Sequence, residues 1–208
     1  MEMERLREVS ETLPKIYLAR HGETEWSITG QHTGLTDLPL TAQGERNARA
    51  LGARLKDLCV ATVLTSPLQR ARRTCELAGL GMNAQVDPDL GEWNYGDYEG
   101  RRTADIRMEH PGWSLFRDGC PHGESVRDVA ARADRVIARL RATKGDVLVF
   151  GHGHCLSVIG ARWVGLPVVK ACVLLLTTGS LSIVGYDHTA EEPVVRLWND
   201  DRHVALKA

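Results

Sequence analysis

A short apolar run that ends abruptly in an Arg-His-Gly turn constrains this chain more than any other feature. Residues 16–19 are typical of a buried strand, and Arg20, His21 and Gly22 follow it directly. Ligands bind at the carboxyl ends of strands in open α/β sheets. Arg20 offers a charged fork of donors that matches phosphate oxygens, and a neutral imidazole such as that of His21 can attack phosphorus. The turn therefore predicts phosphoryl-transfer chemistry at a strand end.

A second apolar run, residues 61–65, ends in a similar way. Ser66 is predicted to cap a helix over 67–79, with Pro67 at its first position. Arg70 then falls in the first helical turn, at a helix N-terminus that favours anions. The second strand end thus adds another guanidinium group.

A third run, residues 146–150, ends in Gly-His-Gly-His over 151–154. Because ligands bind beyond the carboxyl ends of parallel strands, the three turns are expected to converge at one edge of the sheet. Their side chains would place two guanidinium groups and two imidazoles at one rim: Arg20, His21, Arg70 and His152.

Strand-like and helical segments alternate along the rest of the chain. Besides the helix over 67–79, helices are predicted over 41–56, 102–110, 124–142 and about 154–164, and later strands over 172–177, 180–186 and 194–198. This alternation, with short connections, predicts a three-layer α/β/α sandwich around a mostly parallel sheet. Gly and Pro breaks indicate that residues 101–123 cover the site, and the charged residues 1–14 are expected to form a mobile arm.

The composition fits a single domain over residues 1–208. The chain has 208 residues, is 43% hydrophobic and carries a formal net charge of −1, so neither nucleic acid nor a membrane surface is an expected partner. Its apolar runs fall short of the roughly 20 residues that a membrane span needs. The five cysteines form no C-x-x-C pair, which favours a reduced, cytoplasmic protein.

Hydrolysis of a phosphate monoester also needs an acid for its leaving group. Without a catalyst this reaction is among the slowest known, and an enzyme must lower its barrier by on the order of 20 kcal/mol. Charge neutralisation and positioning supply much of that, but an alkoxide leaving group still needs a proton. Spacing alone leaves four carboxyl groups as candidates: Glu92, Asp97, Glu99 and Glu124.

Four segments follow one another along the chain: residues 20–24, 66–70, 92–96 and 151–153. Together they resemble the motifs of the histidine phosphatase (phosphoglycerate-mutase-like) superfamily, in the order expected for that family. The resemblance extends from about Lys15 to about His188. A single Arg-His-Gly turn occurs by chance, whereas the ordered set is highly specific.

The resemblance implies a mechanism that uses neither a metal nor a cofactor, since two guanidiniums and an imidazole neutralise the transferred group. His21 would be the nucleophile that becomes phosphorylated. Glu92 would protonate the leaving oxygen and then deprotonate the water that splits the phosphohistidine. The phosphoryl oxygens would be held by three side chains: Arg20, Arg70 and His152. The partner would be a small phosphorylated metabolite.

Three further segments, residues 30–41, 95–100 and 117–120, are similar to sedoheptulose-1,7-bisphosphatase-like members and to small bacterial acid phosphatases of the superfamily. The implied substrates are small sugar phosphates or bisphosphates. The expected substrate contacts are Ser27, Thr33, Gly34, Tyr95, Gly153 and Arg117, the last of them only for a second phosphate.

Several alternatives stay open at this point. A cofactor-dependent phosphoglycerate mutase uses the same residues, although the short segment 93–123 and Ser27, where many mutases carry Asn, favour hydrolysis. A catalytically idle protein could bind phosphorylated ligands through the same cluster. His21, His152 and His154 could instead bind zinc, although no acid ligand or cysteine pair lies beside them, and His154 is otherwise expected only to begin a helix. The apolar strand near the C-terminus could pair across a homodimer or pack internally.

Overall fold

The computed structural model describes residues 13–204, and its centre is a six-stranded sheet. The strands are β1 (Ile16–Arg20), β2 (Thr62–Thr65), β3 (Ala84–Val86), β4 (Val147–Gly151), β5 (Leu181–Tyr186) and β6 (Pro193–Asp200). Their order across the sheet is β3-β2-β4-β1-β5-β6; β5 is antiparallel to both β1 and β6, and the other pairings are parallel. Residues 1–12 of the arm predicted over 1–14 lie outside the described residues, so the arm stays a prediction.

Seven α-helices surround the sheet in the described part of the chain. They are α1 (Glu25–Thr29), α2 (Ala42–Leu55), α3 (Gln69–Leu77), α4 (Thr103–Glu109), α5 (Leu115–Asp118), α6 (Val126–Ala142) and α7 (Gly153–Trp163). The elements α1, α5 and β3 have no predicted counterpart, because α1 and α5 are too short to show a helical period and β3 is not a continuous apolar run. No helix within residues 13–204 is long and apolar enough to cross a membrane.

Side chains of β1 alternate between two cores. Ile16 and Leu18 belong to a core shared with α6 and α7, whereas Tyr17 and Ala19 belong to one shared with α2 and α3. Because successive strand residues point to opposite faces of the sheet, one continuous apolar run serves both helical layers. This arrangement confirms the predicted three-layer α/β/α sandwich with a mostly parallel sheet.

Two long helices begin at polar caps. The Thr41 hydroxyl, predicted to cap α2, accepts from the Gly44 N–H at 3.0 Å, and the Ser125 hydroxyl accepts from the Asp128 N–H at 3.2 Å. The Asp128 carboxylate accepts in return from the Ser125 N–H at 3.0 Å. These bonds satisfy N–H groups that the helices leave unpaired, which fixes the first residues of α2 and α6.

The predicted start of the helix after β2 is wrong. This helix, α3, begins at Gln69 rather than at Pro67, and the preceding Leu68 makes no side-chain cap. The Ser66 hydroxyl bonds instead to His152 Nε2 at 2.7 Å and accepts from the Leu68 N–H at 3.2 Å. Ser66, although well suited to cap a helix, therefore makes a long-range contact to the residue after β4 instead.

The apolar segment predicted as a strand over 172–177 is not a strand. Val168–Val173 form a 3₁₀ helix that packs against α7, and the chain then runs irregularly towards β5. The place beside β1 that another strand would need is held by β5. The carbonyls of Leu174, Leu175 and Leu176 accept from side chains instead of from a neighbouring strand.

A close backbone approach holds the loop after β1 against the start of α2. A Cβ on Gly44 would lie 2.1 Å from the Glu23 carbonyl oxygen, and a Cβ on Gly22 would lie 2.4 Å from the Gly44 carbonyl oxygen. The Thr41 N–H also donates to the Glu23 carbonyl at 2.9 Å. Only glycine fits at both contact points, so the helix start positions the loop that contains His21.

Replacing Gly44 with Ala should destabilise the fold and displace that loop. Ala is normally favoured over Gly in a helix by about 1 kcal/mol. Overpacking at this contact should reverse that preference and cost about 1–3 kcal/mol. Urea unfolding measures the loss, and the exposed Arg46→Ala variant on the same helix is the matched control, which should change stability by less than about 0.5 kcal/mol. Equal stability of the two variants would contradict the contact.

Candidate active site

The His21 imidazole lies just beyond the end of β1 in a fixed orientation. Its Nδ1 is 2.7 Å from the Gly22 carbonyl oxygen, which can only accept, so Nδ1 carries the proton and Nε2 keeps its lone pair. The residue is only 5% exposed, and its ring centroid is 5.2 Å from that of His152. An imidazole in this tautomer presents Nε2 as a nucleophile.

Arg70, at the start of α3, is fully buried and bonds to carbonyl oxygens rather than to a carboxylate. Its Nη2 donates to the carbonyls of Thr33 at 3.0 Å and Gly34 at 2.9 Å, and its Nη1 donates to that of Thr36 at 3.0 Å. Its Nε donates to His152 Nδ1 at 3.2 Å. These bonds orient the guanidinium without a direct ion pair to a carboxylate, as an anion site requires.

His152, at the end of β4, links Arg70 to the end of β2. Because Nδ1 accepts from Arg70, the ring proton lies on Nε2, which donates to the Ser66 hydroxyl at 2.7 Å. Both ring nitrogens thus have protein partners. The sequence predicts a contact from His152 to a phosphoryl oxygen, whereas the structure uses the ring to hold Arg70. A phosphoryl oxygen would have to replace Ser66 as the partner of Nε2.

Arg20 ends β1, and its guanidinium lines a cavity. Its Nη1 donates to the Leu176 carbonyl, and its buried Nε has no hydrogen-bond partner among the described residues. A Cβ on Gly153 would lie 3.2 Å from Arg20 Cζ, so glycine there lets the guanidinium pack onto the first residue of α7. A buried donor without a partner marks a place where a ligand oxygen can bind.

Glu92 receives three backbone hydrogen bonds. Its Oε1 accepts from the N–H groups of Trp93 at 2.9 Å and Cys155 at 2.8 Å, and its Oε2 accepts from that of His154 at 3.0 Å. Two of these donors lie in the first turn of α7, so the three bonds hold the carboxyl group in one orientation. The residue is 7% exposed and lines the same cavity as His21, in reach of an incoming substrate.

The structure separates Glu92 from the other three candidate carboxyl groups. Asp97 is exposed, Glu99 accepts from the Gly34 N–H at 2.8 Å, and Glu124 pairs with Arg132 at 2.8 Å. None of these three lines the cavity that Glu92 shares with His21. Of the four carboxyl groups, Glu92 is therefore the one placed at the cavity.

The cavity lined by Arg20, His21 and Glu92 has a volume of about 310 Å³, which suits a small phosphate ester; Arg70 and His152 lie outside its lining. Predicted substrate contacts that line it are Ser27, Thr33, Tyr95 and Gly153. Gly34 lies behind the wall, where its carbonyl accepts from Arg70. The segment 101–123, predicted as a cover, contributes Thr103 and Phe116 to the lining.

Arg117 is the predicted contact that the structure does not bring to this cavity. Its guanidinium pairs with Asp118 at 2.7 Å and donates to the Gly112 carbonyl at 2.6 Å. It lines a separate surface depression with Tyr98 and Trp113. The local acid next in the sequence binds the arginine first, so this side chain does not reach the phosphoryl site.

Two further histidines lie in the cavity wall, and neither was predicted as a catalytic residue or substrate contact. His154 Nδ1 lies 2.5 Å from the Tyr95 hydroxyl, and the His32 ring centroid is 4.7 Å from that of Tyr95. His32 also bonds the Thr103 hydroxyl at 3.2 Å. The sequence contains a signal for His154, the second His of segment 151–154. It lies in the first turn of the helix after β4, and such a residue lies at the carboxyl edge of the sheet, where ligands bind.

Burial and neighbouring cations keep the two central imidazoles neutral. Burial, followed by the charges of Arg20 and Arg70, lowers the pKa of His21 well below 6.5. Burial, followed by the charge of Arg70, likewise lowers the pKa of His152 well below 6.5. The neutral ring is the form of an imidazole that can attack phosphorus.

His21 and His152 should therefore remain neutral at pH 6.5, where an ordinary histidine is half protonated. Two-dimensional NMR of protein with ¹⁵N-labelled histidine measures both rings, with His21→Gln and His152→Gln for assignment. After unfolding in urea, the same resonances should titrate near pH 6.5. Half-protonation of either ring at pH 6.5 in the folded protein would contradict the burial argument.

Metal-ligating side chains come together elsewhere. Within residues 13–204, one group of three could hold a metal ion: the exposed Asp187, His188 and Glu192 between β5 and β6. Among the described residues, His21, His152 and His154 form no such group. The arrangement of the described residues does not support the zinc alternative.

Comparisons with known proteins agree with this geometry. The family model of the histidine phosphatase superfamily (branch 1) matches residues 16–201. An acid phosphatase of Mycobacterium tuberculosis is 40% identical over 185 residues, which cover 87% of this chain and 91% of the relative. Sedoheptulose 1,7-bisphosphatase of Saccharomyces cerevisiae is 38% identical over 192 residues, which cover 76% of this chain and 70% of the relative.

A solved structure shows the same fold. It is that of a Mycobacterium tuberculosis open reading frame, which is 38% identical to this chain and superposes with a TM-score of 0.85. The match covers 89% of this chain and 97% of the other. The chain therefore belongs to the histidine phosphatase superfamily (branch 1) and is an enzyme of the phosphoric monoester hydrolase class.

Proposed function

We propose that this protein hydrolyses phosphomonoesters without a metal, through a phosphohistidine on His21. The observation that supports this most is a buried, neutral imidazole with its lone pair on Nε2, in a cavity shared with Arg20 and Glu92. The nucleophile, an anion-binding group and a carboxyl are thus within reach of one small ligand.

In the first step, His21 Nε2 attacks phosphorus and the bond from phosphorus to the leaving oxygen breaks. Glu92, protonated at this stage, gives its proton to the leaving oxygen, so an alcohol departs. Arg20 and Arg70 stabilise the charge that spreads over the phosphoryl oxygens. The Gly22 carbonyl, which accepts from Nδ1, stabilises the positive charge that the ring acquires.

In the second step, water attacks the phosphohistidine and the phosphorus–nitrogen bond breaks. The Glu92 carboxylate accepts a proton from this water, which restores its acid form for the next cycle. Electrons of the broken bond return to Nε2 as the lone pair, and inorganic phosphate leaves. One carboxyl thus serves as acid and then as base.

We further propose small sugar phosphates as the substrate class. The yeast relative named above is a sugar bisphosphatase, and the cavity of this chain offers hydroxyl and amide groups for sugar hydroxyls: Ser27, Gln31, Thr33 and Thr103.

A cytoplasmic location and a homodimer stay predictions. Two alternatives also remain, a phosphoglycerate mutase and an idle binding protein. The convergence of His21, Arg20 and Glu92 disfavours the idle protein, and the short segment 93–123 disfavours the mutase.

Replacing Glu92 with Gln should slow turnover by about 10²–10⁴-fold, because the amide can neither give nor accept the proton. With p-nitrophenyl phosphate, whose leaving group needs little protonation, the phosphoenzyme should accumulate. Intact-protein mass spectrometry at alkaline pH should then detect an acid-labile phosphoryl group, which His21→Ala should remove.

Asp97→Asn is the matched control, since this exposed carboxyl lies in the same loop and should leave turnover unchanged. Discharge of the label to water supports a phosphatase. Faster discharge to added phosphoglycerate would favour the mutase, and turnover by His21→Ala at the full rate would overturn the proposal.

Incubation with EDTA should leave kcat/KM unchanged, because Arg20 and Arg70 supply the positive charge that a metal would otherwise provide. Steady-state phosphate release before and after dialysis against the chelator measures this. The His188→Ala variant, which disrupts the exposed Asp187–His188–Glu192 group, should also keep full activity. Loss of turnover with EDTA and its recovery with zinc would contradict the prediction.

A further inference from the structure

The cavity holds positive charge for one phosphoryl group. Among the described residues that line it, Arg20 is the one lysine or arginine, and Glu92 is the one carboxylic acid. Arg70 lies behind Thr33 and Gly34, with a single N–H donor beyond those already bonded to carbonyls and to the neighbouring imidazole. Two guanidiniums match one phosphate dianion, so binding at His21 uses this charge completely.

Three arginines of the segment 101–123 are paired with acids of the same segment. They are Arg101 with Glu109 at 2.6 Å, Arg102 with Asp105 at 2.8 Å, and Arg117 with Asp118 at 2.7 Å. None of them lines the cavity. A second phosphate at the mouth would have to displace a carboxylate from each arginine that it recruited.

The outer imidazoles do not replace these cations. Burial and the nearby His154 lower the pKa of His32 to about 4, and burial and Arg20 lower that of His154 to about 4. Both rings are therefore neutral near pH 7. Their hydrogen bonds go to the Thr103 and Tyr95 hydroxyls, so they serve as polar neutral groups in the wall.

One side of the cavity is apolar. We define the apolar wall as Ala171, Leu174, Leu175 and Leu176 together with Phe116, all of which line the cavity. Leu175 is 72% exposed, so its side chain borders the open mouth rather than the protein core. A charged group placed against these side chains would lose hydration without gaining a partner.

We propose that this site selects monophosphates of uncharged leaving groups and discriminates against bisphosphates. The leaving group would place its hydroxyls towards Ser27, Gln31 and Thr103, and its carbon skeleton against the apolar wall. This inference rests on the proposed function and narrows its substrate class. It also separates this chain from what the name of the yeast relative would suggest.

Fructose 6-phosphate and fructose 1,6-bisphosphate form the test pair, since they differ only in the second phosphate. The wild-type kcat/KM should be at least about tenfold higher for the monophosphate, because the second phosphate finds no further lysine or arginine in the cavity lining. Leu175→Lys adds a cation to the apolar wall, and it should reduce this ratio at least about fivefold by raising bisphosphate turnover. Met82→Lys, at a fully exposed position outside the cavity lining, is the matched control and should leave the ratio unchanged.

Lys170→Ala tests the exposed cation next to the apolar wall in sequence, and it should also leave the ratio unchanged. A selective loss of bisphosphate turnover in this variant would assign the second phosphate to Lys170 and overturn the inference. A wild-type preference for the bisphosphate would overturn it too, while His21-dependent hydrolysis of p-nitrophenyl phosphate would still support the proposed function. Absence of His21-dependent turnover with all three compounds would overturn both.

Discussion

The site depends on two guanidinium groups, that of the buried Arg70 and that of the partly buried Arg20, whose hydrogen bonds go mainly to carbonyl oxygens. Arg70 bonds to three carbonyls in the loop before α2, and Arg20 bonds to the Leu176 carbonyl. Arg132 provides the contrast, since its pairing with Glu124 at 2.8 Å neutralises its charge. Carbonyl dipoles hold a guanidinium in place but add no negative charge, and the field at the end of β1 stays positive. Binding of a phosphate dianion is the natural way to balance that field.

Burial, together with this field, lowers the pKa of the neighbouring histidines, and this links the reactivity of the site to the stability of the fold. A folded-state pKa below the unfolded value means that the unfolded chain binds more protons in acid. His21 and His152 therefore reduce the stability of the fold as the pH falls below about 6.5. A neutral His21 beside Arg20 and Arg70 thus reduces the stability of the fold in acid, which a surface histidine would not do.

Residues at strand ends were predictable because two independent signals agreed on them. An apolar run followed by a turn fixes Arg20 and His21 at the end of β1, and the parallel arrangement then brings Arg70 and His152 to the same edge. Prediction failed where one sequence pattern is compatible with two structures. Ser66 is a good cap, yet its hydroxyl bonds to an imidazole from a distant strand. Glu92 could be separated from other carboxyls only by the resemblance, because its partners are backbone N–H groups at the start of α7.

The least predictable segment contributes three leucines to the apolar wall, and the reason is physical. An apolar run over 172–177 satisfies a strand pattern, but β5 already occupies the place beside β1. The run therefore crosses the end of the sheet, where its carbonyls accept from Arg20, Ser157 and Trp198 and its side chains form the apolar wall. Chemistry thus comes from strand ends that the fold dictates. Selectivity comes from an irregular segment whose course depends on which polar groups need its carbonyls.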